Sequence, residues 1–320
     1  MLRLANGSTY NGTLFGSKES CSGELVFQTG MVGYVEAITD PSYAGQILVF
    51  TYPMIGNYGV DEAMMESKRV WVAGVVVRDL HDERFDNFLK RWGVPGVFGI
   101  DTRALVTELR ERGTILAQLG DVENDFSEEL GSWFDLSSVN LVKEVSCKES
   151  YKQGEGDKLV LVVDCGMKIS QVTCLLACGV RVKVVPWNYD YVESGEQFDG
   201  LFLSNGPGDP RMADETVEVL KKQMAKEVGV VPIFGICLGH QLMAVAAGLE
   251  IKKLKYGNRA QNIPVRLLGG ERAYITTQNH GYAVEVGSES VWQPLFTNLN
   301  DGTNEGMFHI TRPFFSVQFH

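Results

Sequence analysis

Between residues 159 and 236, short and almost wholly apolar runs alternate with segments of helical spacing. Leu159-Val160-Leu161-Val162-Val163, residues 180–185, Gly200-Leu201-Phe202-Leu203-Ser204 and residues 230–236 read as strands, with helices over 170–178 and 214–227. A strand that is apolar on both faces has to be covered on both, and helical crossovers achieve this around a parallel sheet. This half of the chain is therefore expected to be a doubly wound α/β domain. Ligands of such sheets lie at the carboxyl ends of the strands.

The first half has a different pattern. Glu24-Leu25-Val26-Phe27, Gln46-Ile47-Leu48-Val49-Phe50 and residues 70–77 read as strands, broken by turn signals such as Asp40-Pro41-Ser42-Tyr43 and Ile55-Gly56-Asn57. Helices are expected over 82–92 and from Asp101 to Arg112. A polar stretch over 143–158, containing Gln153-Gly154-Glu155-Gly156-Asp157, has no periodic apolar face and is the expected linker. The 320 residues thus divide into a β-rich mixed domain over 1–150 and an α/β domain over 157–320, with a boundary near 155.

Composition narrows the function classes. Net charge is −11, which disfavours nucleic acid or anionic lipid as the main partner. The excess is concentrated in residues 1–156, with 14 basic against 23 acidic residues. No apolar run approaches a bilayer span, and Met1-Leu2-Arg3-Leu4-Ala5-Asn6-Gly7 has neither signal-peptide nor transit-peptide character, so a cytoplasmic chain is expected. The six cysteines fit no disulfide framework or metal spacing; Cys174 and Cys178, four apart on a helix, are expected as packed core thiols.

The most informative segment is Phe234-Gly235-Ile236-Cys237-Leu238-Gly239-His240-Gln241. It sets Gly-x-Cys-x-Gly at a strand-to-helix junction, the arrangement of a nucleophile elbow with cysteine in place of serine. The helix start beneath Cys237 favours its thiolate. The competing reading is one more buried core thiol. A second cluster, Ser204-Asn205-Gly206-Pro207-Gly208-Asp209-Pro210, is neither a Walker loop nor a dinucleotide fingerprint. Beside an elbow, its backbone N–H groups suit an oxyanion.

A cysteine nucleophile needs a general base, and the chain has five histidines. His81 is expected at the surface. His240 follows Cys237 by three positions and points along its helix, away from a substrate above the elbow. His280 falls in an expected loop, and His309 in a hairpin region. His320 ends the expected strand 314–319, and its place at a strand's carboxyl end makes it the favoured partner.

With these motifs in place, Gly235-Ile236-Cys237-Leu238-Gly239-His240-Gln241 resembles the nucleophile segment of class I glutamine amidotransferases. Nearly the whole chain is similar to the small, glutamine-hydrolysing subunit or domain of carbamoyl-phosphate synthase, particularly the form fused into multifunctional pyrimidine-pathway proteins. The similarity rests on Phe27-Gln28-Thr29-Gly30-Met31-Val32-Gly33-Tyr34, Thr39-Asp40-Pro41-Ser42-Tyr43, Thr51-Tyr52-Pro53, the Gly206 loop, Tyr256-Gly257-Asn258-Arg259, Gln278-Asn279-His280-Gly281 and Phe315-Ser316-Val317-Gln318-Phe319-His320.

The resemblance implies a flavodoxin-like amidotransferase domain in which Cys237 attacks the side-chain amide of glutamine and His320 relays the proton. Ammonia leaves, and a glutamyl thioester is hydrolysed. It implies an oxyanion held by the amides of Leu238 and Gly206, and glutamine contacts from Ser42, Gly206, Gly208, Leu238, Gln241, Asn279, Gly281 and Tyr282. Ser42 would place the pocket between the domains. No cofactor is implied in this chain; ATP and magnesium belong to a synthetase partner that turns ammonia and bicarbonate into carbamoyl phosphate, in pyrimidine or arginine synthesis.

Three departures from the family pattern stand out. Ser170 replaces a usual asparagine, Tyr282 replaces a common phenylalanine, and the family continues from this histidine into Pro-Glu, whose glutamate orients the base, and a final helix. The last departure motivates a second expectation, a catalytically impaired module that docks on the synthetase. A third, an unrelated cysteine hydrolase, leaves the Ser42 and Gly206 segments unexplained.

Overall fold

A computed structural model describes residues 1–121, 133, 135–287 and 291–320. The chain forms two compact units, Met1–Val139 and Asn140–His320.

In the first unit the strands are β1 (Leu2–Leu4), β2 (Thr9–Tyr10), β3 (Thr13–Gly16), β4 (Cys21–Gln28), β5 (Gln46–Phe50), β6 (Met54–Ile55), β7 (Gly74–Val76), β8 (Asp79–Leu80), β9 (Pro95–Phe98) and β10 (Ile115–Leu119). Eight of them form one sheet in the order β2-β1-β10-β4-β5-β7-β9-β3, while β6 and β8 pair separately. The middle pairs β4-β5, β5-β7 and β7-β9 are parallel, and the flanking pairs antiparallel. The strand expected over 70–77 joins the ladder only at Gly74–Val76, because the Trp71 N–H is drawn off to the Ile38 carbonyl. The helix Glu83–Arg91 starts where Asp82 accepts the Arg84 N–H, and it buries Phe85, Phe88 and Leu89. The helix Thr102–Arg112 starts in the same way at Asp101.

The second unit holds β11 (Tyr151–Gln153), β12 (Leu159–Asp164), β13 (Arg181–Pro186), β14 (Gly200–Leu203), β15 (Ile233–Ile236), β16 (Glu250–Leu267), β17 (Ala273–Glu285), β18 (Trp292–Asn298), β19 (Asn304–His309) and β20 (Phe314–Val317). They make one ten-stranded sheet, β11-β13-β12-β14-β15-β20-β19-β18-β16-β17. The run β13-β12-β14-β15-β20 is parallel, as the apolar runs required, and the rest is antiparallel. Strand order reverses at β12, with β13 on one side and β14 on the other, so the carboxyl ends of β12, β14, β15 and β20 frame the switch point. One core gathers Leu161, Val163, Leu201, Leu203, Leu242 and Met243.

The polar stretch over 143–158 is not a linker. It belongs to the second unit, where the helix Leu141–Val145 is followed by β11 on the edge of the sheet. Trp187 N–H donates to Ser146 Oγ at 3.0 Å and Cys147 N–H to Asp164 Oδ2 at 2.8 Å. An edge strand is held by main-chain bonds and leaves its side chains in water, so its composition imitates a linker. The division falls at Val139/Asn140 instead of near 155. Cys174 and Cys178, expected in the core, are exposed on the helix Ile169–Ala177 and at its C-cap. No helix among the described residues is long and apolar enough to cross a membrane.

Candidate active site

β15 ends at Ile236, and the helix Leu238–Ala246 begins immediately after Cys237, which is its N-cap. Cys237 has φ 54° and ψ −103°, and it is the only non-glycine residue with positive φ among the described residues. Such a conformation costs energy of order 1–3 kcal/mol and persists only where the surroundings impose it. Here they do: the Cys237 N–H is tied to the Val317 carbonyl at 2.9 Å, and its carbonyl takes the Gln241 N–H at 3.1 Å. The flanking glycines are needed because there is no room. A Cβ on Gly235 would meet the Gly239 carbonyl carbon at 2.6 Å, and one on Gly239 would meet the Leu203 carbonyl oxygen at 2.2 Å.

The loop after β14 comes equally close to β12. A Cβ on Gly206 would lie 2.0 Å from the Cys165 carbonyl oxygen and 2.7 Å from Leu238 Cδ2. Gly206 therefore packs against both the first strand end and the elbow, while Gly208 has φ +87°. Asp209 next to it accepts bonds from Arg211 and, at 3.2 Å, from the Tyr282 hydroxyl. Burial pushes the Asp209 carboxyl up, but Arg211 more than offsets this and its pKa stays below the usual range.

β17 connects the cysteine to the histidine. The Cys237 thiol donates to the Asn279 carbonyl at 3.6 Å, and the His320 N–H donates to the Thr277 carbonyl at 2.9 Å. Thr277 and Asn279 are two apart on one strand, so they present their groups on the same side. His320 was expected at the end of a strand over 314–319. The strand stops at Val317, because beyond it the chain leaves β15 and takes its bonds from Glu305 and Thr277. His320 and Thr277 together line two cavities of about 340 and 410 Å³; Phe319 closes one, and Phe234 and Ile236 line the other.

The remaining predicted positions lie within their own units. Leu238 is buried at the first turn of the helix, whose leading N–H groups lack intrahelical acceptors. Gln241 is buried, and its Nε2 donates to the Tyr282 carbonyl at 3.3 Å and to Gln318 Oε1 at 3.0 Å. Asn279, whose carbonyl faces the thiol, is buried, and its Nδ2 has no hydrogen-bond partner among the described residues. Gly281 follows in β17, and the Cβ it lacks would lie 3.5 Å from Arg259 Nη2. Ser42 belongs to the first unit, buried in the turn Pro41–Tyr43, where its N–H donates to Asp40 Oδ1 at 2.9 Å.

The other histidines sort by environment. His240 is wholly buried with Nδ1 2.8 Å from Ser316 Oγ, and burial pushes its pKa down to about 3. His280, expected in a loop, is instead buried in β17. Its polar neighbourhood, Gln278 to Gly281, reads as a loop in sequence because the polar groups bond to one another inside the unit. Sequence reasoning also missed Glu305, Ser316 and Gln318, all buried and polar. The visible signal for Glu305 was a lone acid in the otherwise uncharged run Thr303-Asn304-Glu305-Gly306-Met307-Phe308.

Comparison with known proteins agrees with this geometry. Residues 2–119 match the family described as carbamoyl-phosphate synthase small chain, CPSase domain, and residues 161–320 match glutamine amidotransferase class-I. The carbamoyl phosphate synthase arginine-specific small chain of Aspergillus fumigatus is 46% identical, over 99% of this chain and 74% of its own length. The chain belongs to the carbamoyl-phosphate synthase small-chain family. The multifunctional protein pyr-3 of Neurospora crassa is 45% identical over the whole chain, and the multifunctional protein URA2 of Saccharomyces cerevisiae is 43% identical. The chain spans 20% and 16% of the length of those two proteins. The family match places a class I amidotransferase domain on the strand ends just described, with a mixed small-chain domain before it.

Proposed function

We propose that this chain is the glutaminase component of a carbamoyl-phosphate synthase. The observation that carries the reading is the strained, buried Cys237 on a strand-to-helix elbow, with β17 binding both its thiol and the His320 main chain. In this reading the Cys237 sulfur attacks the side-chain carbonyl carbon of glutamine. The Leu238 and Gly206 N–H groups receive the oxyanion, and His320 passes the proton to the departing ammonia. Water then cleaves the thioester to release glutamate. Asn279 Nδ2, Gln241, Gly208, Gly281 and Tyr282 hold the substrate.

The ammonia goes to a synthetase that consumes ATP and bicarbonate, with its nucleotide and magnesium outside this chain. Relatives that carry the same region within much longer multifunctional chains support such a partner. We assign the product to pyrimidine synthesis; loss of the gene should create a growth requirement met by a pyrimidine, and one met by arginine alone would reverse that assignment. The activity itself is tested by glutamate release from glutamine in the wild type and in Cys237→Ser. Equal rates would end the mechanism.

A further inference from the structure

Of the two donors assigned to the oxyanion, Leu238 is set by the start of its helix, whereas Gly206 lies in the loop after β14. Ser204 follows that strand with no exposed surface, and Asn205 is equally enclosed. The Ser204 hydroxyl, which the mechanism above does not use, has two partners. Its Oγ takes the Cys165 N–H at 2.9 Å and donates to the Asn205 carbonyl at 2.8 Å. On the main chain, the Ser204 N–H reaches the Val163 carbonyl at 3.3 Å, and the Ser204 carbonyl takes the Gly239 N–H at 3.0 Å. Ser204 therefore joins the ends of β12 and β14 to the second residue after Cys237.

The atoms present leave one place for the hydroxyl hydrogen. The Cys165 N–H can only donate and the Asn205 carbonyl can only accept, so the hydrogen lies on the Asn205 side. Peptide bonds among the described residues are trans. In a trans peptide the carbonyl and the following N–H point in opposite directions, so a bond that holds the Asn205 carbonyl toward Ser204 turns the Gly206 N–H away from it. Among the described residues that N–H makes no hydrogen bond, which is uncommon for a backbone donor in a folded chain. Gly206 also stands against the elbow, since the Cβ it lacks would lie 2.7 Å from Leu238 Cδ2. The Asn205 side chain is held too, with its Oδ1 taking the Lys168 N–H at 3.3 Å.

We propose that Ser204 is a positioning residue: by donating to the Asn205 carbonyl, its hydroxyl sets the plane of the Asn205–Gly206 peptide and keeps the Gly206 N–H turned out for the oxyanion. The two bonds of the hydroxyl have different consequences. The one from Cys165 satisfies a buried donor and bears on stability. The one to Asn205 acts on the peptide that carries the Gly206 donor. It bears on the step in which negative charge develops on the substrate oxygen, and much less on the binding of glutamine.

The proposal rests on the reading of Cys237 as nucleophile and Gly206 as oxyanion donor. Wild type, Ser204→Ala and Ser204→Thr are compared by glutamine kinetics, by alkylation of Cys237 with iodoacetamide, and by thermal unfolding. Alkylation displaces iodide from a CH₂ group and forms no oxyanion, so it reads the thiol alone. Ser204→Ala should lower kcat by about fiftyfold, with KM and alkylation within about twofold of wild type. Ser204→Thr keeps the hydroxyl and should recover most of the rate. A folded Ser204→Ala with wild-type kcat, one whose alkylation falls as far as its kcat, or a folded Ser204→Thr as slow as Ser204→Ala overturns the proposal. Should Ser204→Ala not fold, Ser204→Cys, whose S–H is a weak donor, takes its place: a lowered kcat at unchanged alkylation supports the proposal, and an unchanged kcat overturns it. If wild type releases no glutamate, the aldehyde analogue of the glutamine side chain replaces the substrate. The Cys237 sulfur bonds to its carbonyl carbon and the thiol proton ends on the oxygen, which takes the oxyanion's place. Binding about tenfold weaker in Ser204→Ala supports the proposal, and equal binding overturns it. Glutamate release that survives in Cys237→Ser ends the reading and the proposal together, whereas wild-type kcat in a folded Ser204→Ala ends the proposal alone.

Discussion

The two units solve the same packing problem with different tolerance for strain. Both bury a sheet with a parallel centre; among the described α-helices, Asp82 and Asp101 cap two in the first unit, whereas in the second only Leu141–Val145 has a side-chain cap, from Asn140. In the first unit every described residue with positive φ is a glycine. The second unit alone holds a non-glycine residue with positive φ, a helix started without a side-chain cap bond at that residue, and two buried histidines and a buried glutamate shifted toward neutrality. Among the described residues, the rule that keeps positive φ for glycine is broken only at the candidate thiol. Departures of this kind mark functional sites.

The contrast can be broken in four ways. The largest effect is expected from Cys237→Ser, which should lower glutamate release by about a thousandfold or more while leaving the unfolding temperature near that of wild type. A matching loss of stability would make Cys237 a core thiol like any other.

Next comes acid. His240 is neutral in the folded chain, with burial and then His280 pushing its pKa down to about 3, whereas the unfolded chain takes up a proton near 6.5. Its contribution to stability is complete above pH 6.5 and is lost as pH falls toward 3. Hydrogen exchange in the helix Leu238–Ala246 should quicken across that window, and less so in His240→Gln. A flat profile would place the acid sensitivity elsewhere.

Gly235→Ala should cost about 2 kcal/mol in urea unfolding, because its Cβ would meet the Gly239 carbonyl carbon at 2.6 Å. Full tolerance would show that the elbow is not under constraint. The smallest effect belongs to the first unit: Asp82→Ala removes the bond to the Arg84 N–H at 2.7 Å, should cost about 1 kcal/mol, and should leave glutamate release unchanged.

Much of this division was legible in the sequence, for identifiable reasons. Apolar runs such as Leu159 to Val163 can only be buried strands, and Gly-x-Cys-x-Gly at the end of one leaves little choice but a tight elbow. Caps at Asp82 and Asp101 announced two helices to within a residue. What escaped was structure whose polarity is satisfied by distant partners. β11 imitates a linker because its bonds are main-chain bonds to β13. His280 and Gln278 imitate a loop because their partners, Glu305 and Thr276, lie on other strands or two residues away. Cys174 and Cys178 imitate core residues because hydrophobic side chains on a short helix do not reveal which face is covered.

The central claim is that Cys237 forms a covalent bond to the glutamine side chain. Mixing the protein with isotope-labelled glutamine, quenching in acid within the first turnover and weighing the Cys237 peptide tests it directly. The account predicts a labelled glutamyl thioester on Cys237 that is absent from Cys237→Ser. Glutamate release without such an adduct, or an adduct on another residue, would contradict it.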